Sequence, residues 1–99
     1  MPAELTVIWW RDIPAQVVAG QGRGAVRAVL SDRFQEAIDL AATRAGLIGT
    51  DDYLDAWRKV SSPCEGDLDT AVAAEAERLE AAYPDDVLDV LARDGGVAG

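Results

Sequence analysis

The sequence predicts an α+β fold, a small antiparallel sheet of two to three N-terminal strands packed by three to four helices. Three observations carry this. The first third is dense in β-branched and aromatic residues. The rest repeats apolar residues at three- and four-residue steps. Strand-like and helix-like segments are segregated along the chain rather than alternating. The 99 residues read as one domain, with a strand region over 4–30, a helical region over 31–94 and a frayed tail over 95–99.

Leu5-Thr6-Val7-Ile8-Trp9-Trp10 reads as a strand whose two faces are both largely apolar, hence a covered central strand. Arg11-Asp12-Ile13-Pro14 breaks the run, because Pro14 lacks an N–H and holds Ile13 extended. Ala15–Ala19 is a second short strand. Gly20-Gln21-Gly22-Arg23-Gly24 is a flexible connection to a third over Ala25–Leu30.

Ser31 or Asp32 caps the next segment, and Gln35 stands at capping-box distance from Asp32. Phe34, Ala37, Ile38, Ala41, Ala42 and Ala45 form one helical stripe, stopped by Gly46. Thr50 caps a shorter helix expected from Asp51 to about Val60, with Tyr53, Trp57 and Val60 on one face. Ser61-Ser62-Pro63 ends it, and Cys64-Glu65-Gly66 reads as loop. Asp67 caps a third helix with Leu68, Val72, Leu79, Ala82 and Tyr83 as its stripe, ended by Pro84. Asp85 and Asp86 open a last helix carrying Val87, Leu88 and Leu91.

Charge is placed unevenly. Residues 1–50 hold five basic and five acidic groups; residues 51–99 hold four and thirteen, so the net charge of −9 sits in the second half. Phosphate backbones and anionic lipid repel such a chain, which argues against nucleic acid and membrane surfaces as partners. The acidic half reads as a solubilising face; the sharper alternative is a docking surface for a basic partner. No apolar run is long enough to span a bilayer, and Met1–Leu5 shows no leader pattern, so a cytoplasmic protein is expected. The sequence has no histidine and one cysteine, which removes histidine triads and Cys/His zinc sites. No metal and no cofactor is expected.

Trp9-Trp10-Arg11-Asp12-Ile13-Pro14 is the most unusual segment. Adjacent strand residues point to opposite faces, so only one tryptophan can enter a given core. With one sheet face open, the other becomes an aromatic platform beside Arg11, and Trp and Arg are enriched at interface hot spots. The expected interaction surface is therefore Trp10, Arg11, Asp12 and the adjoining strand at Gln16 and Val18. The plainer alternative buries both rings and uses Arg11–Asp12 to pin the turn.

The other motifs are weaker. The Gly20/Gly22/Gly24 spacing lacks the Lys-Ser/Thr of a phosphate loop and precedes a strand. Asp51/Asp52/Asp55 and Asp85/Asp86/Asp89 read as helix-start aspartates. The Asp67/Asp69 pair fails the EF-hand pattern at Ala71. Cys64 lies among Glu65 and Asp67, a setting that disfavours a nucleophile.

Several of these segments resemble one family. Ile8-Trp9-Trp10-Arg11-Asp12-Ile13-Pro14-Ala15-Gln16-Val17, Gly22-Arg23, Arg33-Phe34-Gln35-Glu36-Ala37-Ile38-Asp39, Ala42-Thr43-Arg44-Ala45-Gly46-Leu47 and Asp52-Tyr53-Leu54-Asp55-Ala56-Trp57-Arg58 are similar to the conserved virulence-factor C-terminal domain family. The similarity runs over residues 5–80, and Trp-Arg-Asp-Ile-Pro-Ala-Gln is its most distinctive part. In that family the domain stands alone or is appended to a helical-repeat protein. The resemblance implies no catalytic residues. It implies a non-catalytic interaction or accessory domain whose partner is another protein, with assistance to a one-carbon or corrinoid methyl-transfer enzyme as its specific version. The glycine-rich stretch 20–24 departs from the more basic family pattern. Two alternatives come from other classes: a small-anion binder or enzyme using Arg11, Arg23 and Arg27, and a self-associating oligomerisation module that covers its own sheet edge.

Overall fold

Strand β1 (Ala3–Trp10) and strand β2 (Ile13–Ala19) form an antiparallel hairpin closed by Arg11 and Asp12. The computed structural model describes residues 3–20 and 22–98. The hairpin turn is tight enough to put Arg11 at φ 52°, a strained conformation for a side chain of its size. Ile13 and Pro14 belong to β2, not to a break before it. Pro14 fits because the pairing slips between Ile8 and Trp9, which leaves Ala15 as an extra residue on β2. Such a bulge sharpens the local twist, and both Ile13 and Pro14 end up fully buried.

After a 3₁₀ turn at Gly22–Gly24, β3 (Val26–Val29) pairs with β2. Helix α1 (Asp32–Arg44) follows, then the short α2 (Asp51–Asp55). The chain then does something not expected from the sequence. Trp57–Cys64 is a fourth strand, β4, paired antiparallel with β1 along its whole length. The sheet order is β3-β2-β1-β4, so the sheet has four strands rather than two to three, and the expected helix to Val60 stops at Asp55. Helices α3 (Leu68–Ala82) and α4 (Asp85–Arg93) complete the described residues. The fold is α+β, with four α-helices among the described residues.

The core is one cluster. Val17 and Ala19 of β2 meet Val72 and Leu79 of α3, Phe34, Ile38, Ala41 and Ala42 of α1 meet Leu88, Leu91 and Ala92 of α4, and Val7 of β1 belongs to the same cluster. Each fully buried large side chain contributes on the order of 2 kcal/mol of apolar transfer free energy. The α1 stripe is buried as predicted except for Ala45, which is exposed. The Asp32–Gln35 capping box does not form: Gln35 bonds Asp39 instead. The start of α1 is tied from α3, where the Glu80 carboxylate accepts from the Ser31 N–H (2.7 Å) and hydroxyl (2.8 Å) and pairs with Arg33 (2.9 Å).

Over its described part the tail is hydrogen-bonded to the hairpin. Gly95 and Gly96 are buried, the Asp12 N–H donates to the Gly96 carbonyl (2.8 Å), and the Ala98 N–H donates to Asp12 (2.7 Å). Gln21 and Gly99, which complete the expected flexible loop and tail, lie outside the described residues.

A candidate interaction cleft beside Trp9

The two adjacent tryptophans have opposite fates. Trp10 is 0% exposed. Its indole N–H donates to the Tyr53 carbonyl (3.0 Å), its ring lies 5.7 Å from that of Tyr53, and a Cβ on Gly96 would come within 2.9 Å of it. Trp10 is therefore a core residue and not part of an interaction surface. Its side of the sheet is capped locally by α2, a helix the sequence extends to Val60, and by the tail. Arg11 is committed too: its Nη1 donates to the Gly95 carbonyl (3.0 Å), and its guanidinium carbon sits 5.3 Å from the Trp10 ring centre. Most of the Trp-Arg-Asp-Ile-Pro segment thus serves as a structural junction between hairpin and tail.

Gln16 and Val18 lie on the same face as Trp10, farther along the sheet where that face is open, beside Arg27, whose Nη1 donates to the Gln16 side-chain oxygen (3.1 Å). A hollow of about 520 Å³ on this side is lined by Ile8, Gln16, Trp57, Arg58 and Lys59. The expected surface therefore splits between the buried junction and the open face. The three arginines of the anion-site alternative separate as well. Arg11 is pinned at the hairpin turn, Arg23 is exposed in the 3₁₀ turn, and Arg27 pairs with Val18, five residues along β2 from Ile13 or roughly 17 Å at strand rise. They do not converge on one ligand.

What the structure brings together instead is a cleft of about 600 Å³ between the sheet, the end of α3, α4 and the tail. Trp9 and Arg58 come from paired positions of β1 and β4, and Tyr83 closes α3. Val87, Val90 and Leu91 come from α4, and Val97 from the tail. The Arg58 guanidinium carbon lies 5.2 Å from the Trp9 ring centre, with Nε donating to the Arg11 carbonyl (3.0 Å) and Nη2 pairing with Asp12 (3.4 Å). The Trp9 and Tyr83 rings meet edge to face at 6.2 Å, and Tyr83 repeats that contact with Phe34. The Trp9 indole N–H is buried and has no hydrogen-bond partner among the described residues. Leaving such a donor unpaired costs about 1–3 kcal/mol. Burial, and secondarily the nearby Asp12 carboxylate, push the Tyr83 phenol above its ordinary pKa, so it stays neutral at physiological pH.

Among these residues only Asp12 stands in the expected surface. Trp9, Arg58, Tyr83 and Val90 lie outside it. One signal was available: α4 carries Val87 and Val90 outside its buried Leu88/Leu91/Ala92 stripe, so it is apolar on more faces than one core can use. Cys64, expected in a loop, is the buried last residue of β4. No cluster of three His, Cys, Asp or Glu side chains fit to hold a metal occurs among the described residues. No described helix is long and apolar enough to cross a membrane.

No curated protein and no solved structure is significantly similar to the chain. The model of one family, described as virulence factor, matches residues 8–92, which takes in the end of β1, all of β2–β4 and α1–α3, and nearly all of α4. The chain belongs to the virulence factor family.

Proposed function

We propose that this chain is a non-catalytic protein-interaction or accessory domain that holds its partner at the cleft beside Trp9. The observation that carries the reading is the cleft itself: a concave, largely apolar site whose valines are not used by the protein's own core. Val90 is 55% exposed, and Val87 and Val97 also face solvent. Covering an exposed valine is worth on the order of 1–2 kcal/mol. Trp, Tyr and Arg are the residue types that dominate interface energetics, and Trp9, Tyr83 and Arg58 supply all three. A helical-repeat neighbour in relatives fits the same role. Assistance to a corrinoid- or folate-dependent methyl-transfer enzyme is this reading with a particular partner.

The test is capture of the tagged full chain from the cells that produce it, beside two exposed-site variants. Val90→Asp alters the cleft; Val29→Asp alters the open sheet face, where Val29 is paired with Gln16. Both are expected to melt within about 0.5 kcal/mol of the parent. The reading predicts a stoichiometric partner retained by Val29→Asp and lost by Val90→Asp. Loss in Val29→Asp alone moves the surface to the open face. Recovery of the bare chain in every case removes the interaction reading.

A further inference from the structure

We infer that the occupant of the cleft is a basic amphipathic helix of a partner protein, laid along the β1–β4 side of the sheet, where β4 is left exposed. This rests on the interaction reading above and adds the partner's shape and charge. A four-stranded sheet is about 15–20 Å across, and helices pack 8–10 Å apart, so one sheet face accommodates two helices side by side. The helices of this chain gather at one side: α3 lies over β2 and β3 and α1 packs against β2, while of the helices the short α2 is the one packed against β4. On the β1–β4 side, every β4 residue from Arg58 to Pro63 is exposed. Val60 is 47% exposed although it pairs with the core residue Val7, and cross-strand partners share a face. Two residues along, Arg58 pairs with Trp9 and enters the cleft. Val60 and the half-buried Trp9, with Arg58 beside them, thus form a partly uncovered lane that ends against Val90 and Val97.

The face, not the free edge of β4, is the docking element. Lys59 and Pro63 stand in that edge strand, and both residue types discourage strand addition. The charge of the lining selects the partner's sign. Asp12, Asp86 and Asp94 outnumber Arg58 three to one. Arg58 already answers Asp12 and the Arg11 carbonyl, while Asp86 and Asp94 have no ion pair among the described residues. Lysines or arginines flanking an apolar helical stripe would meet those two carboxylates. An acidic helix would face them within a chain of net charge −9.

The probe is a synthetic peptide of about 18 residues built from leucine and lysine, with the leucines on one helical face. It is titrated into the isotope-labelled full chain while amide signals are followed. The expected result is saturable binding with shifts centred on Val60, Val87, Val90 and Val97. Affinity is expected to fall about tenfold in the Asp86→Asn/Asp94→Asn double variant and to be unchanged in Asp51→Asn/Asp52→Asn, which removes the same charge from α2. No binding, shifts centred on Gln16 and Val29, or equal weakening by both double variants overturns the inference. Equal binding of a leucine–glutamate peptide of the same pattern at the cleft overturns the basic partner and leaves the interaction reading standing. Failure of that reading is told separately, by the capture experiment with Val90→Asp.

Discussion

Trp9 and Trp10 are neighbours in one strand, and they belong to two different parts of the molecule. Trp10 sits where hairpin, α2 and tail converge, fully buried, with its indole N–H satisfied by Tyr53. Trp9 sits on the other face, between Arg58 and Tyr83, half-buried, with an indole N–H that nothing among the described residues accepts. One end of the sheet is closed by interlocking contacts and the other side is left partly uncovered. The contrast teaches that a rare residue pair need not have one purpose: alternation along a strand assigns one ring to stability and leaves the other at a surface.

The comparison breaks most sharply at Trp10. Trp10→Ala is expected to cost about 3–5 kcal/mol, a large share of the 5–15 kcal/mol that holds a typical domain together. Urea unfolding should show a lost or severely shifted midpoint, and a smaller shift for Trp9→Ala. Equal losses would erase the distinction. Gly96→Ala sharpens it. Gly96 has φ +87° and a Cβ there meets Trp10 at 2.9 Å, whereas Gly22 has φ +63° and open space. Gly96→Ala should cost about 2–3 kcal/mol and Gly22→Ala about 1 kcal/mol, the difference reporting the Trp10 contact.

The tie between α3 and α1 is a smaller effect with a pH signature. Burial works against ionised Glu80, but the Ser31 N–H, the Ser31 hydroxyl and Arg33 together outweigh it and hold its pKa below the ordinary value. A depressed carboxylate contributes stability that is present above its unfolded pKa, near 4.3, and lost as pH falls through the folded value. Glu80→Gln should flatten that part of the acid limb, and Glu80→Ala should cost about 1–2 kcal/mol at neutral pH. The smallest change is Trp9→Phe. It gives up some buried area and also removes an unpaired donor, so its midpoint should stay within about 1 kcal/mol of the parent.

Much of the fold was legible because its signals are local. The β1 run, the α1 stripe, the Asp67 cap and the Asp85–Asp86 start all declare themselves within a few residues, and Asp67 does accept from the Thr70 N–H. β4 was illegible for a physical reason. Arg58, Lys59, Ser61, Ser62 and Pro63 leave no apolar alternation, because the strand is exposed on both faces. Its helical disguise came from Tyr53, Trp57 and Val60 at four- and three-residue steps. Tyr53 and Trp57 do meet, at 6.3 Å, but across the junction of α2 and β4. The cleft was out of reach for the same reason as β4, on which it depends. It is assembled from three distant segments, Trp9 with Asp12, Arg58, and the stretch from Tyr83 to Ala98, and no spacing in the sequence joins Trp9 to Val90. The bulge at Ala15, which lets Ile13 and Pro14 both be buried, likewise follows from pairing rather than from local propensity.

The central claim is that Trp10 belongs to the core and Trp9 to the contact surface, and the indole N–H signals of the isotope-labelled chain test it most directly. The chain has three tryptophans, assigned by Trp→Phe substitution. On addition of the captured partner, the Trp9 signal should shift or broaden as the cleft fills, while the hydrogen-bonded Trp10 signal stays in place and exchanges slowly with solvent. A Trp10 signal that moves while Trp9 stays fixed would contradict the account and return the contact surface to the hairpin turn.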